Sequence, residues 1–151
     1  CGIGSTLRQW VQAGASAFGV ELPGGAVDCA RINAPGAVVL RGTCEQRMPQ
    51  AREWWHDGNH SRRACYVNPP RSGVEPALLD ALAHDLRPDR IAYLSCSAGT
   101  LARDLAAFEA AGYEVSSIAP FDFFPGTHHV ECQALLTLAR SLDAGEPAFN
   151  D

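Results

Sequence analysis

Apolar positions along the chain fall into two alternating rhythms. Short continuous runs at residues 17–20, 37–40, 64–67, 91–95, 113–118 and 132–138 read as strands. Between them the spacing changes to that of a helix. Residues 6–13 put Leu7, Trp10 and Val11 on one face, with Gly14 as a stop. Residues 25–33 do the same with Ala26, Val27 and Ala30. Residues 75–86 begin with Pro76, suited to a first turn, and carry the stripe Leu78, Leu79, Leu82, Leu86. A further helix after residue 95 buries Leu101, Leu105 and Phe108 and ends before Gly112. Residues 41–63 lack a clear rhythm and are expected to be irregular and polar, and residues from 141 on read as a mobile tail. Strands that are continuous apolar runs and alternate with helices predict an α/β domain with a mostly parallel sheet covered by helices on both faces. No internal repeat, low-complexity block or second domain interrupts residues 1–151.

Composition narrows the partners. The formal charge is -5, and all 12 basic residues are arginine, which reads as a compositional bias. A strong autonomous nucleic-acid binder needs clustered basic residues, so this stretch is not expected to hold RNA or DNA by charge alone. No apolar run is long enough to span a membrane. Cys1, Cys29, Cys44, Cys65, Cys96 and Cys132 form no C-x-x-C pair, and several lie in strand-like runs. They are expected to be reduced, mostly buried thiols of a cytoplasmic protein rather than a disulfide frame or zinc site.

Candidate chemistry gathers at strand ends. Cys96 follows the run Ile91–Ser95 and precedes a helix, beyond the carboxyl end of a strand where α/β sheets bind ligands; a helix start also favours a thiolate. Asn68-Pro69-Pro70 follows another strand, and two prolines hold the amide in a rigid extended turn. Such an amide pairs with a flat polar ring through one donor and one acceptor; a purely structural turn explains the prolines equally. Glu131 opens the last apolar run, where a carboxylate is costly unless used or paired. Thiol, amide and carboxylate are expected to converge at one sheet edge. Gly2 and Gly4 before a helix, with Glu21 closing the next strand, have the layout of a nucleotide-type site, a weak signal alone. His128-His129 lack further ligands at metal-site spacing, so no metal is expected. Trp54-Trp55 either stack on bases or pin a loop to the body, and pinning is the more frequent use.

Three ordered blocks make the chain recognisable: Asn68-Pro69-Pro70-Arg71-Ser72-Gly73; Tyr93-Leu94-Ser95-Cys96 through Thr100-Leu101-Ala102-Arg103-Asp104-Leu105; and Asp122-Phe123-Phe124-Pro125 through His129-Val130-Glu131. The sequence resembles the C-terminal catalytic domain of the S-adenosylmethionine-dependent RNA uracil-C5 methyltransferases, which make 5-methyluridine in transfer and ribosomal RNA. The resemblance implies a Rossmann-like methyltransferase fold lacking its first strand. It implies Cys96 as nucleophile and Glu131 as general base. It also implies Gly2, Gly4, Glu21 and Asn68 as residues near S-adenosylmethionine, with Asn68 also near the target base.

The chain departs from that pattern at Asn68, where the family usually has aspartate, at Ser97-Ala98 in place of Asn-Pro, at Gly126 in place of histidine and at Ser5 in place of asparagine. The family's first strand, a glutamine near the cofactor and an RNA-binding barrel lie upstream of the part that is matched. The expectation is therefore a catalytic domain that belongs to a longer protein and neither folds well nor acts alone. Two other readings stand beside it: an amino-group methyltransferase using Asn68-Pro69-Pro70, for which Cys96 is incidental, and a non-catalytic relative that binds RNA.

Overall fold

The computed structural model describes residues 1–58, 62–127 and 130–139. Among the described residues six strands and five α-helices follow one another: α1 (Ser5–Gln12), β1 (Phe18–Glu21), α2 (Gly24–Asn33), β2 (Val38–Arg41), α3 (Cys44–Asp57), β3 (Ala64–Val67), α4 (Pro76–Asp80), β4 (Arg90–Ser95), α5 (Ala98–Ala110), β5 (Tyr113–Phe121) and β6 (Glu131–Leu138). α4 runs on into a π-helical turn, Ala81–Leu86. The strands form two ladders. β1 and β2 pair in parallel; the other sheet has the order β3-β4-β6-β5, with β3 parallel to β4 and β6 antiparallel to both its neighbours. β3, β4 and β5 thus share one direction and β6 opposes them. No ladder joins β1 to β3 among the described residues, which is where the resemblance expects a central strand to be lacking.

Each sheet has its own core. Leu7, Val27, Ala30 and Val39 close the smaller one. Gly4 makes it possible: it caps α1 at φ +87°, and a Cβ there would lie 2.8 Å from the Ala30 Cα. The larger core centres on Tyr93, Phe108, Leu82, Ile91 and Leu136. Although Ile91–Leu94 is a continuous apolar run, its burial alternates. Ile91, Tyr93 and Ser95 are buried, while Ala92 and Leu94 are only half-buried.

The expectation of an irregular stretch at 41–63 is overturned by α3. Thr43 Oγ1 accepts from the Gln46 amide and the Gln46 side chain accepts from the Thr43 amide, a capping box that starts the helix. Met48, Ala51 and Trp55 then form its apolar stripe against the larger core. Pro49, the sixth residue of the helix, hides this pattern in the sequence; it removes the amide that would reach the Glu45 carbonyl, and the helix continues past it. The tryptophans pin: Trp55 Nε1 donates to the Leu86 carbonyl at 2.7 Å and its ring lies under Arg63, while Trp54 packs on Phe18 with ring centres 5.3 Å apart. The last contact ties α3 to β1. No helix among the described residues is long and apolar enough to cross a membrane. The expected tail from Ser141 lies outside the described residues.

Candidate active site

The chemistry-bearing side chains are delivered by the ends of β1, β3, β4 and β6. At the first, Glu21 turns back onto the glycine loop. Its Oε2 accepts from the Gly2 amide at 2.6 Å, and Oε1 accepts from the Leu22 amide at 2.9 Å. Burial pushes this carboxyl up, and the bonds from the Gly2 and Leu22 amides pull it down. Gly2 adopts φ +57°, and a Cβ built there meets no atom within 4 Å, so the loop backbone faces open space beside the Glu21 carboxyl. A backbone that a ligand can approach closely, next to a carboxylate able to accept from ribose hydroxyls, fits S-adenosylmethionine.

The second cluster follows from sheet register. The β4–β6 ladder ends at Ser95↔Cys132, and Phe121 pairs with Glu131 across β5–β6. One step beyond Ser95↔Cys132 stand Cys96, in the turn after β4, and Glu131, the first residue of β6, at the same end of the sheet. Alternation puts Tyr66, Ala92, Leu94, Glu131 and Phe121 on one face. Asn68 follows β3 directly, one residue past Val67. The strand ends that carry thiol, amide and carboxylate thus lie at one end of the sheet. The turn carrying Cys96 is fixed locally: Ser95 Oγ donates to the Ser97 carbonyl at 3.0 Å and accepts from the Ser97 amide at 3.1 Å. Cys96 itself is half-buried, within reach of a substrate.

Tyr66 was not legible as a site residue. Its hydroxyl lies near the Asn68 side chain, which pulls its pKa down, and feels the Glu131 charge. Burial, reinforced by that charge, pushes its pKa up despite Asn68. Tyr66 thus stays neutral and links the amide to the carboxylate end. The only signal for it in the sequence is its place two residues before Asn68, on the same side of a strand. Beside Glu131, Phe121 and Phe123 lie nearly parallel, with ring centres 5.6 Å apart, and both are exposed. The cysteines differ from expectation in burial. Cys1 and Cys29 are exposed and the other four are half-buried. His128 and His129 lie outside the described residues; among the described ones no group of three or more His, Cys, Asp or Glu could hold a metal ion.

Comparison with known proteins matches this geometry to a family. The family model for tRNA (uracil-5-)-methyltransferase matches residues 57–139, more than half the chain. A protein of Halalkalibacterium halodurans described as an uncharacterized RNA methyltransferase is 36% identical over 143 residues, covering 91% of this chain and 30% of the relative. Another so described, from Gloeobacter violaceus, is 38% identical over 146 residues, covering 93% and 29%. The chain therefore spans under a third of the length of these curated relatives. Solved structures give the fold. A TehB-like S-adenosylmethionine-dependent methyltransferase from Corynebacterium glutamicum superposes with TM-score 0.57 at 19% identity, covering 92% of this chain and 77% of that one. A precorrin-6y C5,15-methyltransferase from Geobacter metallireducens gives 0.61 at 13%, covering 91% and 76%. With a Rossmann-like methyltransferase fold, a glycine loop and acid that fit S-adenosylmethionine, and a family model running through the Asn68, Cys96 and Glu131 strand ends, the chain belongs to the tRNA (uracil-5-)-methyltransferase family of S-adenosylmethionine-dependent RNA methyltransferases.

Proposed function

We propose that residues 1–151 form the catalytic domain of an RNA uracil-C5 methyltransferase acting on a uridine of transfer or ribosomal RNA in the cytoplasm, with Cys96 as nucleophile and Glu131 as base. The observation that supports the reading is the register Ser95↔Cys132, which brings the β4 end just before Cys96 beside the β6 start at Glu131, with the end of β3 before Asn68 on the neighbouring strand.

Uracil C5 is a weak nucleophile. Addition of the Cys96 thiolate to C6 moves the ring π-electrons onto O4 and C5, so that C5 becomes enolate-like. S-Adenosylmethionine, when bound by Gly2, Gly4 and Glu21, supplies an electrophilic methyl group to that carbon. Glu131 then takes the remaining C5 proton; the electron pair reforms the C5–C6 double bond and expels the Cys96 thiolate. Asn68, beside Tyr66, offers one donor and one acceptor to the flat polar edge of the base. The target base must leave its stack to reach the sheet edge, and the exposed Phe121–Phe123 pair offers apolar ring faces to RNA beside Glu131.

The test uses the full-length protein, S-adenosylmethionine and RNA containing 5-fluorouridine, whose fluorine cannot leave as a proton. A covalent protein–RNA complex should form, visible on a denaturing gel and mapped to Cys96 by mass spectrometry, and Cys96→Ala should form none. On ordinary uridine, Glu131→Gln should lower turnover by about 10²–10⁴-fold and accumulate the methylated adduct. Cofactor binding without any adduct would favour a non-catalytic RNA-binding role, for which the Asn68, Ser97 and Ala98 departures argue. Methylation of exocyclic amino groups that survives Cys96→Ala would favour the amino-group reading.

A further inference from the structure

Asp104 is a carboxylate with only 2% of its surface exposed, and the proposed chemistry leaves it without a role. It lies on α5, the helix that starts just after Cys96. All of its acceptor capacity is used. Oδ2 accepts from the Val74 amide at 2.9 Å and from the Tyr93 hydroxyl at 2.8 Å. Oδ1 accepts from Arg103 Nε at 2.9 Å and Nη2 at 2.7 Å, and Nη2 also donates to the Ser72 carbonyl at 2.9 Å. Val74, and Ser72 through Arg103, belong to the loop that follows Asn68-Pro69-Pro70. Tyr93 is on β4, three residues before Cys96.

The loop rests directly on this ion pair. Gly73 closes a turn onto the Pro70 carbonyl at 2.9 Å with φ +87°, and a Cβ there would run into Arg103 Nη2 and lie 2.6 Å from Asp104 Oδ2. Together with Arg103 and Asp104, Ser72, Val74, Pro76 and Leu79 line a cavity of about 440 Å³ beside the loop. Val74 is buried in the larger core, so apolar packing anchors that residue while the hydrogen bonds orient the loop around it. For stability alone a buried charge is a poor choice, since well-packed apolar side chains of similar volume do as well or better. What a carboxylate adds is direction.

We infer that Asp104 is a positioning residue that clamps the Asn68-Pro69-Pro70 loop to the strand and helix presenting Cys96, and so sets the amide and the thiol at a fixed separation. This rests on the proposed roles of Cys96 and Asn68.

The test compares wild type with Asp104→Asn, and with the milder Tyr93→Phe and Arg103→Gln should the first fail to fold, all in the full-length protein. Two quantities are read: the rate of the 5-fluorouridine adduct at saturating RNA and cofactor, and amide hydrogen exchange at Val74 and Ile91. A displacement of about 1 Å costs on the order of 10²-fold in rate. The expected result is an adduct rate lowered by about 10–100-fold in Asp104→Asn, RNA affinity within about threefold of wild type, and faster exchange at Val74 with Ile91 unchanged. A folded variant with wild-type adduct rate overturns the inference. So does Val74 protection that stays unchanged, or Val74 and Ile91 losing protection together, which marks plain destabilisation. If wild type forms no adduct, the Cys96 reading fails, and Val74 exchange still decides whether the clamp exists.

Discussion

Cys65, the second residue of β3, and Cys96, just past the end of β4, both belong to apolar stretches, yet the fold treats their thiols oppositely. Cys65 pairs with Ile91 on the inward face of β3 and packs against the larger core. Burial pushes its thiol up to about 12, and the neighbouring Cys44 adds a smaller push in the same direction. Cys96, one strand over and past the strand's end, opens to the sheet edge. In the unfolded chain the Cys65 thiol ionises from about 9 upward, whereas in the folded chain it stays protonated. Above that pH the unfolded state binds fewer protons than the native one, so stability falls as pH rises. Below about 9 the group contributes no pH dependence. Urea unfolding at a series of pH values should show loss of stability from about pH 9 toward 12, with a shallower slope in Cys65→Val. An identical slope in that variant would show that other groups carry the effect. Tyr66 makes the complementary point: a side chain unremarkable in sequence becomes part of the site because Asn68 and Glu131 are its neighbours in space.

Among the elements, α3 shows how a local signal can be hidden. The Thr43-to-Gln46 capping box is written in four consecutive residues, and Pro49 and the two tryptophans obscure it. Because the box satisfies two amides at the helix start, Thr43→Ala should cost about 1 kcal/mol, read as a lower urea midpoint with an unchanged slope. A loss below a few tenths would mean that packing by Met48, Ala51 and Trp55 sets the helix start without the cap. The other elements were legible in type, with boundaries shifted by a residue or so. β5 was read short because its last residues, Ala119 to Phe121, include Pro120, which sits on an edge strand where its missing amide is tolerated.

For the whole molecule, the decisive feature is that two sheets with two cores are joined without a shared ladder among the described residues. Phe18 on Trp54 is one of the contacts that bridge them. The smaller core holds only six buried residues, against fifteen in the larger. We expect the 151-residue chain to unfold in two steps, with the β1–β2 half opening first. Calorimetry and amide exchange check this: two transitions, and early loss of protection at Val20 and Val39, are the expected outcome. A single two-state transition seen by both probes would show that the halves are coupled more tightly than their ladders suggest.

Everything that depends on neighbours along the chain is readable from the order of residues alone. Apolar period marked most strands and helices, and glycines and prolines marked their ends. The chemistry-bearing residues Gly2, Glu21, Asn68, Cys96 and Glu131 each stand at the end of their own element, so each could be found alone. Tertiary structure decided what joins them. Insertion of β6 between β4 and β5, antiparallel, brings the start of β6 at Glu131 to the end of β4 next to Cys96, and no local pattern encodes strand order. It also decided that Asp104, an ordinary acid in a helix by sequence, is buried between a loop and a strand about thirty and eleven residues away. The physical reason is common to both cases. Secondary structure follows from short-range propensity and period, whereas a buried carboxylate or an opposing pair exists only once distant segments share a desolvated space.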